Sequence, residues 1–214
     1  MPRHELIPFD PGAETTRTRR RLPHWFQPGR TYFVTFRLAD SLPREKRDAW
    51  QRERDTWLQQ HGVDSPDLLT EALQHTHHNL FTEELQSLLD AGDGSCVLGR
   101  PEFSRVVAEA LLFFDGQRCH VEAFVVMPNY VHVLVSPIGK HELSGLLHSW
   151  KRHTARQINQ LLGRIGDPLW LDENFDHIVR TPVQLDHFAQ YIADNPHKAN
   201  LQPNEYLHYE ARPK

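Results

Sequence analysis

Two strand-like runs separated by only three residues constrain the fold of this chain most tightly. Residues 119–126 and 130–135 are rich in β-branched and aromatic residues, and Met127-Pro128-Asn129 joins them. Helical patterns precede and follow this pair, one beginning at Pro101 and one covering about 143–162. Two consecutive strands flanked by helices are typical of the middle of a split β-α-β-β-α-β arrangement.

The outer parts of the chain complete this arrangement. Residues 32–36 predict a first strand, and a short extended segment at 178–179 predicts a last one. The final helix should begin near Pro182 and end at Asn195, because Pro196 cannot continue a helix. The predicted fold class is therefore α+β: a ferredoxin-like split β-α-β core with a mainly antiparallel sheet, plus an N-terminal helical insertion.

Composition divides the chain into an arm, a main domain and a tail. Residues 1–30 contain several prolines and no periodic apolar pattern, and predict an extended basic arm. Residues 31–200 predict the main domain, with a helical insertion at about 42–92 and a short strand near Val97. Residues 201–214 are polar and predict a short tail.

Charge is distributed unevenly along the chain. The 214 residues carry a formal net charge of −4, which alone argues weakly against nucleic acid because phosphate binding needs positive charge. Two basic islands, residues 17–21 and 151–156, interrupt this average, although each by itself is typical of a solvated face. No apolar run is long enough to span a bilayer, and two cysteines without CxxC spacing suit a reducing cytoplasm.

One histidine lies within the second strand-like run. Because side chains alternate across a strand, His132 shares a face with Tyr130 and Leu134. An imidazole among branched apolar residues needs a partner, which a metal ion or a backbone carbonyl could provide. Without further context the hydrogen-bonded histidine is the commoner case.

A tyrosine and an asparagine share a face of the last predicted helix. Tyr191 and Asn195 are four residues apart, beside an apolar stripe that includes Phe188 and Ile192. Such a tyrosine can be half buried while its hydroxyl faces a cleft, although most tyrosines at this position only pack at a core edge. A histidine and an amide oxygen would form a weak, open site suited to Mg²⁺ or Mn²⁺.

Five sequence blocks in a fixed order resemble the REP-associated tyrosine transposases, of the IS200-like, HUH-type single-tyrosine superfamily. The most specific are Met127-Pro128-Asn129 and the Tyr-Ile-x-x-Asn-Pro pattern from Tyr191 to Pro196. The blocks extend over about residues 24–201, and the five lie at 32–41, 123–129, 148–151, 175–180 and 191–199.

This resemblance implies a role for each matching residue. Tyr191 matches the nucleophile, which attacks single-stranded DNA, forms a 5′-phosphotyrosine and releases a 3′-hydroxyl. His132 and Asn195 match ligands of Mg²⁺ or Mn²⁺. Basic residues would contact the substrate backbone, and the candidates are Lys151, Arg152, Arg156, Arg180, Arg19, Arg20 and Arg21.

The resemblance also implies a partner and a location. The substrate would be a single-stranded DNA hairpin from palindromic, REP-like repeats, recognised through its shape and unpaired bases. The protein would act in the bacterial cytoplasm, at the nucleoid and away from membranes, as a monomer or a homodimer.

Position 130 departs from the family pattern, which has histidine where this chain has Tyr130. A neutral phenol is a poorer metal ligand than imidazole, because its anionic form has a reference pKa of about 10. Three outcomes stay open: weak metal binding through His132, Asn195 and water; ligation by Tyr130 itself; or a disabled site. The sequence thus predicts a single-stranded DNA endonuclease and strand transferase with a weakened metal site. The alternatives are a catalytically impaired hairpin-binding protein and, more remotely, an unrelated ferredoxin-like protein.

Overall fold

The computed structural model describes residue 12 and residues 16–19, 23–63, 69–77, 80–81 and 83–211. The described strands are β1 (Thr16–Arg19), β2 (Pro23–Phe26), β3 (Tyr32–Arg37), β4 (Cys119–Val126), β5 (Tyr130–Pro137), β6 (Phe175–Ile178) and β7 (Leu207–Glu210). The described helices are α1 (Arg44–Gln60), α2 (Glu71–His77), α3 (Glu83–Asp90), α4 (Pro101–Leu112), α5 (Leu143–Leu162) and α6 (Pro182–Lys198). None of these helices is both long and apolar enough to cross a bilayer.

Five of the strands form one antiparallel sheet in the order β6-β3-β5-β4-β7, while β1 and β2 pair as a separate hairpin. The first four of the five follow the strand order of a ferredoxin-like core, which confirms the predicted α+β class and antiparallel sheet. Strand β7 adds an edge to β4 and lies within the segment that the sequence assigns to a polar tail. Only its alternate residues, Leu207 and Tyr209, are partly buried, and four residues give a weak pattern.

The two faces of this sheet are covered by different helices. Helices α4 and α5 pack together against one face, where Val34, Phe36, Val131 and Val133 join the main hydrophobic cluster. Helix α6 lies against β4 and β5 on the other face. Alternation along β5 therefore directs Tyr130, His132 and Leu134 toward α6, as the sequence predicts for residues that share a face.

Helix α6 begins where predicted but continues past its predicted end. Thr181 caps its first turn by accepting a hydrogen bond from the Gln184 N–H at 3.1 Å, and Pro182 occupies the first turn. The predicted end at Asn195 is wrong, because the helix includes Pro196 and ends at Lys198. Proline removes a single N–H bond here, and the buried Pro196 ring and the bond from the Ala199 N–H to the Asn195 carbonyl hold the last turn.

The short strand expected near Val97 is also wrong. Residues Val97–Gly99 form one turn of 3-10 helix, and Leu98 is completely buried. The Leu98 N–H donates to the Pro128 carbonyl at 3.0 Å instead of joining a strand ladder. This contact fixes the connection that enters α4.

Residues Asp40–Cys96 form a compact unit of their own, which contains α1, α2 and α3. Trp50 on α1 donates its indole N–H to the Phe81 carbonyl at 3.1 Å. Gly94 has a φ of +89°, and a Cβ there would collide with the Asp40 carbonyl oxygen. The apolar pattern of the sequence does not predict α2, because it is interrupted between α1 and α3.

Candidate active site

A row of side chains crosses the sheet beneath α6. Thr35 pairs with His132, His132 with Val125, and Val125 with His208, so these four side chains share one face. Arg37 lies two residues after Thr35 and pairs with Tyr130 on the same face. The register of three strands therefore assembles a polar strip on a surface that is otherwise apolar.

His132 is a deeply buried titratable group of this strip. It is 2% exposed, and its Nδ1 lies 2.7 Å from the Thr35 hydroxyl oxygen. Burial lowers the pKa of His132 from 6.5 to about 3, because the imidazolium would lose its hydration. The ring is therefore neutral at physiological pH. Its Nε2 is buried and has no hydrogen-bond partner among the described residues.

Tyr130 and Asn195 connect the sheet to α6. The Tyr130 hydroxyl donates to the Asn195 Oδ1 at 2.5 Å, and the two residues are 0% and 1% exposed. The Asn195 Nδ2 is buried and has no hydrogen-bond partner within the part of the chain that the structure describes. The amide oxygen that could have served as a ligand thus already accepts a hydrogen bond from a phenol.

Tyr191 lies at the edge of the same cluster and is half buried. Its ring centre is 5.3 Å from that of His132 and 5.8 Å from that of Phe33. Phe33 in turn stacks on Phe188 of α6 at 4.4 Å. Aromatic packing between β3 and α6 therefore fixes the position of Tyr191 against the strip.

Four of the predicted site residues converge, whereas the predicted basic residues of α5 lie on the other face of the sheet. Tyr191, His132, Asn195 and Tyr130 meet beneath α6. The Lys151 ammonium donates to the Leu171 and Asp172 carbonyls at 3.0 and 3.1 Å, on the face that α5 covers. Arg152 and Arg156 are exposed on α5, Arg180 is exposed just before α6, and Arg19 is in β1. Arg20 and Arg21 lie outside the described residues.

Two residues of the site, Thr35 and Phe33, are not predicted from the sequence. Thr35 holds the His132 ring, and Phe33 packs against both His132 and Tyr191. Alternation along β3 places Phe33, Thr35 and Arg37 on one face, and that pattern was the available signal. Their contacts with β5 and α6 depend on strand register, which the sequence pattern alone does not show.

The residues beneath α6 do not fit a divalent cation held by three protein donors. A metal ligand must offer an unprotonated lone pair. His132 Nε2 meets this condition, but Tyr130 is a protonated phenol and its proton is directed at the Asn195 oxygen. Within the described part of the chain no cluster of three or more His, Cys, Asp or Glu side chains could hold a metal ion.

Charge is separated between the two units. The segment Asp40–Cys96 holds 12 of the 28 acidic residues but only 5 of the 24 basic ones. The rest of the chain therefore has a formal charge of +3, although the whole chain has −4. The negative total does not describe the unit that carries the site.

One sequence family matches part of this chain. Residues 104–195 match the sequence profile of the family described as "Transposase IS200 like". This segment runs from α4 to Asn195 and therefore includes Tyr130, His132 and Tyr191. No curated protein matches the chain significantly.

Two solved structures are similar to this chain. One is a REP-associated tyrosine transposase bound to a REP hairpin, with 17% identity, a TM-score of 0.47, and coverage of 86% of this chain and 73% of that one. The other is a putative transposase from Deinococcus radiodurans, with 14% identity, a TM-score of 0.32, and coverage of 84% of this chain and 98% of that one.

Proposed function

Since residues 104–195 match the IS200-like transposase family, we propose that this protein cleaves and rejoins single-stranded DNA at palindromic hairpins. One observation carries the proposal: α6 brings Tyr191 against His132 and Asn195 against Tyr130, all at positions that resemble the functional motifs of the family. Half burial suits a nucleophile, because packing within the protein holds the Tyr191 ring while its exposed part can approach a DNA strand.

The proposed reaction uses Tyr191 as the nucleophile. Its phenolic oxygen attacks a DNA phosphate, so an O–P bond to the tyrosine forms and the P–O3′ bond breaks. The phenolic proton passes to solvent, and the leaving 3′ oxygen takes up a proton to become a hydroxyl. Attack of a 3′-hydroxyl on the 5′-phosphotyrosine reverses these steps and rejoins a strand.

A second function is favoured by the hydrogen bond between Tyr130 and Asn195. IS200-like transposases use divalent metals, and the donor set beneath α6 does not fit one. We therefore propose that cleavage is impaired while hairpin binding is retained. The net positive charge of the unit that carries the site supports retained binding, because most of the affinity for nucleic acid comes from the phosphates.

Covalent capture tests the nuclease proposal directly. The protein is incubated with single-stranded hairpins from repeats that flank its gene, with and without Mn²⁺, and adducts are resolved on a denaturing gel. Tyr191→Phe should abolish the adduct, and Tyr206→Phe, outside the site, should leave it unchanged. An adduct that persists in Tyr191→Phe would remove Tyr191 from the mechanism.

Substitution at position 130 separates the two functions. Tyr130→His should raise Mn²⁺-dependent cleavage, because an imidazole replaces the phenol that engages Asn195. Equal cleavage by both forms would show that position 130 does not limit the reaction. Hairpin binding without any adduct in either form would favour the non-catalytic function.

A further inference from the structure

Lys198 lies on the same face of α6 as Tyr191. It is seven residues after Tyr191, close to two helical turns, and three after Asn195. Because α6 continues through Pro196, this helical relation is kept to the last residue of the helix. The Lys198 ammonium nitrogen lies 5.1 Å from the centre of the Tyr191 ring. The extension of the helix thus brings a cation to the candidate nucleophile.

The surroundings of Lys198 leave its ammonium accessible. The side chain is exposed, and Asp194, one turn earlier on α6, accepts a hydrogen bond from the Gln190 amide at 2.8 Å. Lys151 differs, because two backbone carbonyls hold its ammonium on the opposite face of the sheet. A lysine with three donors on a flexible stem can contact the Tyr191 ring and a phosphate together.

We propose that Lys198 binds the DNA phosphate that is presented to Tyr191. This inference rests on the proposed function, since it requires single-stranded DNA as the ligand. Lys198 makes and breaks no covalent bond; it attracts the strand to the edge of α6 and positions the phosphate before the phenol. Arg152 and Arg156 cannot replace it there, because α5 covers the other face of the sheet.

Salt-dependent binding tests this role. The dissociation constants of the full chain for a hairpin oligonucleotide and for an unstructured oligo-dT are measured at several KCl concentrations in EDTA. Lys198→Gln should lower the log–log salt slope by about 0.7 and weaken binding about fivefold at roughly 0.1 M salt, which corresponds to one lost phosphate contact. Lys198→Arg should retain the wild-type slope. Lys140→Gln is the matched control, because Lys140 is exposed beyond the far end of β5 from Tyr130.

Each outcome decides the proposal. A wild-type salt slope in Lys198→Gln, or an equal loss in Lys140→Gln, would overturn it while leaving the proposed nuclease intact. If Lys198→Gln reduces the salt slope but the wild type never forms a covalent adduct, the phosphate-binding role of Lys198 is supported and the proposed cleavage reaction is refuted. A wild-type protein that binds neither oligonucleotide would overturn both proposals.

Discussion

Removal of the Tyr130 hydroxyl should destabilise the protein through a partner 65 residues away. Asn195 is 1% exposed, so in Tyr130→Phe its Oδ1 stays buried but loses its donor, while its Nδ2 already has no partner among the described residues. A buried acceptor left unsatisfied costs about 1–3 kcal/mol, and the ring itself keeps its packing. For a chain of this length, the melting temperature should fall by roughly 2–12 °C.

A double-mutant cycle assigns this loss to the hydrogen bond. The free energy of unfolding is measured by urea titration for the wild type, Tyr130→Phe, Asn195→Leu and the double variant. Replacing both partners by apolar groups of similar shape removes the unsatisfied oxygen, so the double variant should lose less than the two single losses together, by about 0.5–3 kcal/mol. Additive losses, or a Tyr130→Phe protein within about 0.3 kcal/mol of wild type, would refute the reasoning.

Three further perturbations test other parts of the structure. Thr35→Val should destabilise the fold by about 1–2 kcal/mol by removing the partner of His132 Nδ1, and Thr35→Ser should restore most of the loss in the same urea titration. Because the pKa of His132 is about 3 in the folded protein and 6.5 in the unfolded chain, the unfolded chain binds an extra proton between these values, so stability falls as the pH drops through this window. In His132→Asn the stability should fall less steeply with pH, by at most about 1.4 kcal/mol per pH unit. Parallel stability curves for the two proteins would contradict this prediction. Gly94→Ala should cost about 1–3 kcal/mol, more than Gly62→Ala, because both have positive φ but only Gly94 faces a carbonyl oxygen; equal losses would exclude the collision.

The parts of the fold that could be predicted have local causes. Two strands are identified by the continuous apolar residues of β4 and β5, and the end of α5 is identified by Gly163, which has a φ of +68°. Neither feature depends on distant residues. The end of α6 could not be found in this way, because the rule for proline describes one hydrogen bond and the buried ring of Pro196 outweighs it. Strand β7 depends on pairing with β4, which its own four residues do not show.

The candidate site likewise has parts with local causes and parts that depend on contacts between distant residues. Helical spacing places Tyr191 beside Asn195, and strand alternation places Tyr130 beside His132, since each pair belongs to one element. The contacts between the pairs depend on how α6 docks on the sheet, and so do the roles of Thr35 and Phe33. A resemblance in sequence could indicate which residues belong together, but it could not show that the Tyr130 proton is directed at the Asn195 oxygen.

This hydrogen bond gives position 130 two opposing effects. A phenol on β5 ties the helix of the candidate nucleophile to the sheet, and it engages the amide oxygen that a metal ion would otherwise use. An imidazole at the same position could offer the lone pair of one nitrogen to a metal, but it is shorter than a phenol, so its remaining N–H would not reach the Asn195 oxygen as the hydroxyl does. Tyr130→His should therefore gain cleavage and lose stability in the absence of metal, and added Mn²⁺ should restore part of the stability only if the ion binds the folded site. If cleavage increases but Mn²⁺ does not restore stability, residue 130 affects cleavage by a route other than metal binding.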